Sequence, residues 1–541
     1  MTASGAAPGG TTLEPRGARR SRPTSRQVDL AVLLGLLAFA FVMRIPDLAA
    51  RGTWDADQGH DMLVLRSFVR DGIVPLLGPP TSIGDFHHGA LYYYLLTPAA
   101  LITGGDSPLA VTFAIALAGV AAVGVTWWLA RAIAGPVAGF VAGLAMAVSA
   151  TAIEESTFIW NPNLIALSSS IALAGAWRAW TTQRARWWLL AAVGTAVTMQ
   201  CHVLGVTLLP IVGALLIADA RRRPPGSARR AVLLSGLGGV AIIAVTYVPL
   251  VLNEALHDFS ESRAAIDWLA AGGEPSSLAL PLRMFVVLTR VVTWPVTGLI
   301  TNAPLASLLA LTLIIGIVFW RWRSPDGLER VAVRWLGLGL AWTAGFLTFA
   351  ASGLATVIPG LPNDHYHAFA DPMVFTLVGI GAAAAWRAWQ QARGDAAPRP
   401  IALVPLVVMA VALVGLVAWN VANLPPATAP DGGFPAADAA GQRIQAATTD
   451  RAIAIRSLPD FKSPDTYVYP LVRDGVRIVD EAETPTLVIV CDDLFAAAIG
   501  AACGGPAEEA SLAATPFKGP LETRDRFEAA PGRWVSIYVA P

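Results

Sequence analysis

The feature that most constrains this chain is a series of long windows that hold no Asp, Glu, Lys or Arg. Gly89–Gly105, Ser107–Leu129, Ala132–Ile153, Ala231–Asn253 and Ala303–Trp320 all avoid charge and are largely apolar. A charged side chain at the centre of a bilayer costs roughly 2.5–3.5 kcal/mol on insertion scales. About 20 apolar residues cross the hydrocarbon as a helix. Windows that avoid charge repeatedly at that length read as lipid-embedded. The alternative, core helices of a large soluble protein, needs more charged surface than 14% charged residues provide; an ordinary soluble domain carries about 25%. The chain is expected to be a polytopic membrane protein.

The formal net charge is zero, so nothing in the total points to nucleic acid. The distribution of charge is more informative. Of the 38 Lys and Arg residues only Lys462 and Lys518 are lysines. The arginines cluster at Arg16–Arg26, at Arg184 and Arg186, at Arg221–Arg230 and at Arg321–Arg334. Short basic loops stay on the cytoplasmic side of a membrane, which assigns these segments inward. Residues 1–27 read as a disordered basic cytoplasmic tail. The apolar stretch Val28–Val42 has no small-residue cleavage site after it and reads as a retained first helix.

Residues 28–424 then form the membrane domain. Apolar segments lie near 89–104, 108–130, 134–152, 164–180, 187–202, 203–218, 231–251, 303–320, 335–353, 370–389 and 401–420. Counting from both ends leaves a conflict of parity between residues 89 and 152, where three segments have room for two crossings. The Tyr-rich segment Ala90–Leu101 is the one expected not to cross. The segment Leu282–Ile300, with Arg283 and Arg290, is expected to lie in the interface for the same reason.

From residue 425 the apolar character is lost, and residues 425–541 read as a small α/β domain. Ala452–Ile455, Thr486–Val490 and Trp534–Val539 are strand-like, and Ala436–Thr448 and Leu494–Ala502 helical. Cys491 and Cys503 fall in this domain. On an extracytoplasmic domain they form a plausible disulfide, with two unpaired thiols as the alternative.

The densest polar cluster is in the first outer loop, Trp54-Asp55-Ala56-Asp57-Gln58-Gly59-His60-Asp61. After it come Phe86-His87-His88-Gly89 and Tyr92-Tyr93-Tyr94. Carboxylates where a helix leaves a membrane are costly unless used, and suit a general base or a cation site. The plainer reading is a solvated loop with capping Asp residues.

Asp57-Gln58-Gly59 with Arg66 and Gly72 resembles the "Asp-Glu-Gly…Arg…Gly" segment of GT-C glycosyltransferases. That superfamily includes protein O-mannosyltransferases and lipid A aminoarabinose transferases. Phe86 to Tyr94 resembles its "His-Pro-Pro-Leu-Tyr-Tyr" segment. Glu155 to Asn163 stands where it carries "Ser-Arg…Asp", and Asp364-His365-Tyr366 is similar to its late "Arg-Tyr" or "His-Tyr" segment. This chain departs at Gln58, at His88-Gly89 and at Asn163.

The resemblance implies an all-α GT-C-like membrane domain of about 11–13 helices, with a small extracytoplasmic C-terminal α/β domain. It implies a multi-pass plasma (inner) membrane enzyme that moves a hexosyl or pentosyl group from a polyprenyl-phosphate donor to an extracytoplasmic lipid, glycan or protein. Asp57 takes the catalytic role, with Asp55 as a second acid. Gln58, His60, His87, His88, Tyr92, Glu155, Asn163, Arg290, His365 and Tyr366 are the candidates for substrate binding. Six of the 7 histidines fall in outer segments, yet without a fixed metal-ligand spacing. No metal site is assigned, and a divalent cation is left open as a cofactor. The competing classes are a transporter or flippase of lipid-linked saccharides, and a non-catalytic membrane partner. A transporter is expected to show internal repeats and mid-membrane ionisable residues, and neither is evident.

Overall fold

The structure is a computed structural model, and it describes residues 25–81, 85–271, 278–355, 364–394, 403–448, 451–517 and 521–540. It is a multi-pass membrane protein. Among the described residues nine helices are long and apolar enough to cross a bilayer, and three further apolar helices are shorter. The charge-free windows become Pro108–Ala134, Pro136–Val148, Ser227–Thr246 and Pro304–Arg321. The expected tail lies outside the described residues up to residue 24; the first helix is Ser25–Arg44.

Two segments read as single spans are broken. The 134–152 segment becomes Pro136–Val148 and Ala150–Glu154, with Ser149 Oγ accepting from Ala152 N at 3.3 Å to cap the second piece. The 231–251 segment becomes Ser227–Thr246 and Val248–Leu256, divided just before Pro249, whose ring removes a backbone donor.

The bundle has two distinguishable ends. At one, arginines are tied down. Arg131 pairs with Asp29, and Arg321 and Arg387 both reach Glu329. Asp219 takes Arg222 Nε at 2.8 Å, Arg223 Nη2 at 3.0 Å and Trp188 Nε1 at 3.1 Å. The other end carries the first loop, the ends of the helices at Ser149 and Asn420, and the C-terminal domain; it is called the site face below.

The Tyr-rich helix is Leu91–Thr103. Its 13 residues span about 20 Å at 1.5 Å per residue, against roughly 30 Å of hydrocarbon. Both of its ends sit on the site face. Tyr92 reaches Asp61 at 2.7 Å, and beyond the other end Arg70 Nε donates to Gly104 O at 2.9 Å and Arg66 Nε to Asp106 at 3.1 Å. Leu280–Thr297 is among the nine helices of spanning length, but its contacts gather on that face. Ser149 Oγ donates to Pro295 O at 2.7 Å and Asn420 Nδ2 to Val296 O at 2.9 Å. The preceding helix, Ser260–Ala270, holds His87 N through Glu261 at 2.7 Å.

The loop between the first two long helices contributes a small antiparallel pair, β1 (Leu77–Pro80) and β2 (His87–Gly89). The C-terminal domain is built on a five-stranded sheet. Its strands are β3 (Ala452–Leu458), β4 (Arg477–Ile478), β5 (Thr486–Asp492), β6 (Glu522–Ala530) and β7 (Arg533–Val539), in the order β4-β3-β5-β7-β6. β3 pairs parallel with β4 and β5, and β7 antiparallel with β5 and β6. β5 is buried along nearly its whole length, as its central place and apolar run require. The helices Gly433–Ala447 and Asp465–Arg473 pack beside the sheet, and the second also packs against the first-loop helix. Cys491 and Cys503 form a disulfide.

Candidate active site

The helix Ala56–Asp71 rises from the first loop, and its start is fixed by two residues. Asp55 is the N-cap and accepts from Ala56 N at 2.8 Å. Gln58 returns its Oε1 to Asp55 N at 2.8 Å. This is a reciprocal capping box, and it assigns Gln58 a structural task. Gln58 is buried, and its Nε2 is spent on Ile159 O at 2.9 Å. The amide that breaks the family pattern thus ties the loop helix to the segment before Trp160; it does not face a ligand.

Three carboxylates on this one turn of sequence have three fates. Asp55 is committed to the protein: besides its cap, Arg533 Nη2 lies at 3.0 Å and Thr466 Oγ1 at 3.3 Å. Burial opposes its charge, but Arg533 and Lys462 hold its carboxyl below the usual range. Asp61 is fully buried and takes a hydroxyl on each oxygen, Tyr92 at 2.7 Å and Tyr93 at 2.8 Å. Desolvation pushes its carboxyl up to about 7. Asp57 alone is open to solvent. Protein nonetheless crowds it closely: desolvation, then the Asp55 charge, raise its carboxyl above the usual range, while Lys462, His60 and the Trp160 indole oppose the rise. Asp55, expected as a second acid, thus serves as the helix cap, and Tyr92, expected at the substrate, bonds Asp61.

The C-terminal domain roofs this helix. Trp54 Nε1 donates to Thr466 O at 2.9 Å, and His60 Nδ1 meets Asp465 Oδ2 at 3.0 Å. That bond raises the His60 imidazole above its ordinary value. Gly59 explains itself here, because a Cβ at this position would stand 2.0 Å from Asp465 O. The glycine of the Asp-Gln-Gly triplet is the notch that seats the roof.

Beside the loop helix lies a second polar cluster. Arg290, a substrate-binding candidate from the sequence, is buried in a bidentate pair with Asp364, Nε to Oδ1 at 2.8 Å and Nη2 to Oδ2 at 2.6 Å. It also donates to Leu354 O, and His367 Nε2 reaches Asp364 at 3.1 Å. Its guanidinium is thus paired inside the protein. Glu155 is buried and accepts from Trp294 Nε1 at 2.7 Å, and desolvation lifts its carboxyl to about 8. Asn163 is buried and donates to Phe158 O at 2.8 Å.

The histidines fall into two groups. His87 is held by Glu261, Nδ1 to Oε2 at 3.1 Å. His88 and His202 stack with ring centroids 4.8 Å apart, and His202 stacks on Tyr366 at 4.4 Å. Each accepts a backbone N–H at Nδ1, from Val203 at 3.3 Å and from Leu204 at 3.2 Å. Burial drives both imidazoles below their ordinary value, His88 to about 3, so the pair stays neutral. His365 packs on Trp160 at 5.0 Å and Trp294 at 5.4 Å. Among the described residues no three His, Cys, Asp or Glu side chains converge as a metal site would need.

Asp57, His60 and the aromatic stretch stand out in the sequence; Lys462, Asp465, Thr466 and Arg533, which pack around the loop helix, are remote in sequence and carry no motif. The arrangement offers one solvent-open, raised carboxylate at the start of a rigid helix, under a lid of polar groups. Such a group can accept a proton from a hydroxyl laid against it.

The architecture is the GT-C fold. Two crystal structures of ArnT from Cupriavidus metallidurans share it. The apo form is 15% identical with a TM-score of 0.58, covering 96% of this chain and 99% of that one. The form bound to undecaprenyl phosphate is 15% identical with a TM-score of 0.59, covering 95% and 98%. Residues 87–248 match the profile of the family described as dolichyl-phosphate-mannose-protein mannosyltransferase. No curated protein sequence matches the chain significantly.

Proposed function

We propose that this protein is a glycosyltransferase that takes a sugar from a polyprenyl-phosphate donor and passes it to an acceptor on the extracytoplasmic side. The observation that carries the reading is Asp57, an exposed carboxylate whose surroundings raise its proton affinity at the first turn of the loop helix, in a chain with the fold of a protein crystallised with undecaprenyl phosphate. Asp57 is assigned the role of general base. Its carboxylate takes the proton of the acceptor hydroxyl as the oxygen attacks the anomeric carbon, and the bond from that carbon to the lipid phosphate oxygen breaks. A carboxyl raised by its surroundings is a better proton acceptor than an ordinary Asp. The phosphate leaves as its anion and needs no acid.

The site face is read as the outer face, because the arginine-rich loops gather at the other end and basic loops stay cytoplasmic. Residues from 425 onward are read as an extracytoplasmic domain that closes the site. A hexose or pentose fits the donor class, and lipid, glycan and protein remain equivalent acceptors for this geometry.

The test is donor consumption. Purified protein is incubated with a panel of polyprenyl-phosphate sugars, wild type beside Asp57→Asn. Release of polyprenyl phosphate by wild type and its loss in the variant supports the reading. Equal consumption by both removes Asp57 from the chemistry, and no consumption by wild type with any donor removes the enzyme.

A further inference from the structure

A departing phosphate needs a cation close to the attacked carbon, and Arg290, a substrate-binding candidate from the sequence, is paired with Asp364. The ionisable groups that bear on Asp57 include Asp55, Lys462, His60 and Asp61. His60 is engaged by Asp465 at 3.0 Å. Arg533, the next guanidinium of the roof, divides itself between Asp55 at 3.0 Å and Asp492 at 3.1 Å. Lys462 is different. Its Nζ stands 3.7 Å from Asp55 Oδ2, well beyond the roughly 2.7–2.9 Å of a close charge-assisted hydrogen bond. Asp55 does not need it, having Arg533, Thr466 and the Ala56 N–H already. The ammonium rests 4.9 Å from the Phe495 ring centroid, and the side chain is 30% exposed. The aromatic face fixes its direction without taking up its donors.

We infer that Lys462, contributed by the C-terminal domain, is the residue that binds the anionic phosphate of the donor beside Asp57. The inference rests on the proposed function and goes beyond it by assigning donor recognition to the roof rather than to the membrane helices. A lysine suits the task as a compact charge with three rotatable donors that can follow a phosphate from the bound donor to the departing anion.

The experiment uses the full chain in detergent micelles with three probes: undecaprenyl phosphate, undecaprenol without its phosphate, and inorganic phosphate. Lys462→Gln is expected to weaken undecaprenyl phosphate by roughly tenfold or more, the loss of one charge-assisted contact. Lys462→Arg is expected to retain most of the affinity. Undecaprenol is expected to bind both variants as it binds wild type. Inorganic phosphate competing with the lipid only in Lys-containing protein would place the contact on the phosphate itself. A second measurement needs no variant. The chain has two lysines, Lys462 and Lys518, so an amine-reactive label followed by mass spectrometry should show Lys462 shielded by undecaprenyl phosphate, with Lys518 as internal reference. If wild type binds the lipid phosphate but Lys462→Gln binds it equally and Lys462 labels at an unchanged rate, the assignment is wrong while the glycosyltransferase reading stands. If wild type does not prefer undecaprenyl phosphate over undecaprenol, both fall.

Discussion

The loop helix and the Arg290 cluster hold the same kinds of group, carboxylates, histidines and a cation, yet they end in opposite states. Around Arg290 the charges close on one another: guanidinium on Asp364, His367 on the same carboxylate, Trp294 on Glu155. Around Asp57 two of three carboxylates are likewise consumed, by Arg533 and by the tyrosine pair, but one is left facing solvent with a loosely held ammonium nearby. The difference teaches that density of polar residues marks both places equally. What separates the two is water: the carboxylate left over at Asp57 is exposed, whereas the polar atoms left over near Arg290, both oxygens of Asp371 and His367 Nδ1, are buried.

The contrast breaks most sharply if Asp57→Asn keeps its activity. We expect turnover of the lipid donor to fall by about 10²–10⁴, the usual worth of a general base, with an unchanged unfolding midpoint in detergent. Wild-type turnover should also decline on the acid side at a pH above the ordinary Asp range, because the Asp57 carboxyl is raised and must be ionised to act. Arg290→Met should do the reverse. Leaving Asp364 buried without its guanidinium is expected to cost about 3–5 kcal/mol, read as a lowered midpoint in chemical unfolding, and any lost activity should follow lost folded protein. If Arg290→Met folds normally and loses donor affinity alone, the closed cluster is a site after all.

A smaller effect is expected at the junction with the roof. Gly59→Ala places a methyl 2.0 Å from Asp465 O, so the backbone must shift, at a cost of about 1–3 kcal/mol. Limited proteolysis between the membrane domain and the sheet should speed up, and a variant as resistant as wild type would contradict the notch. A separate test is on Asp61. Its carboxyl is held near about 7 in the folded protein, against about 3.9 unfolded. Between those values the unfolded chain gives up a proton that the folded chain keeps, so stability should fall as pH rises from about 4 to about 7. Asp61→Asn should flatten that decline, measured as unfolding midpoints across the range.

The membrane helices were legible because a charge-free window has few other uses. The expected segment 303–320 is the helix Pro304–Arg321, and 370–389 lies within Asp371–Gly394. The first loop was legible in part: Asp57 stood out, but nothing local told it from Asp55 and Asp61. That distinction is made by Arg533, Thr466, Tyr92 and Tyr93, and the first two lie more than 400 residues away and reach the loop only through tertiary packing. In the sheet domain the buried strands read correctly from their apolar runs. Glu522–Ala530 did not, because it is a largely exposed edge strand rich in charge, a composition suited to edges and also common in loops. Gln58 and Asn163 read as decayed motif positions. The structure gives both a hydrogen-bonding role that an acidic residue would not fill, since each donates from its amide nitrogen to a backbone carbonyl.

The roof also sets a timetable. Asp55 and Asp57 are synthesised about 410 residues before Thr466 and about 480 before Arg533, which complete their surroundings, and the helices through Ala422 come between. At ~5–20 residues per second the Asp57 carboxylate waits roughly 25–95 s with its ceiling missing. During that interval the loop helix lacks the groups that cover it in the folded protein.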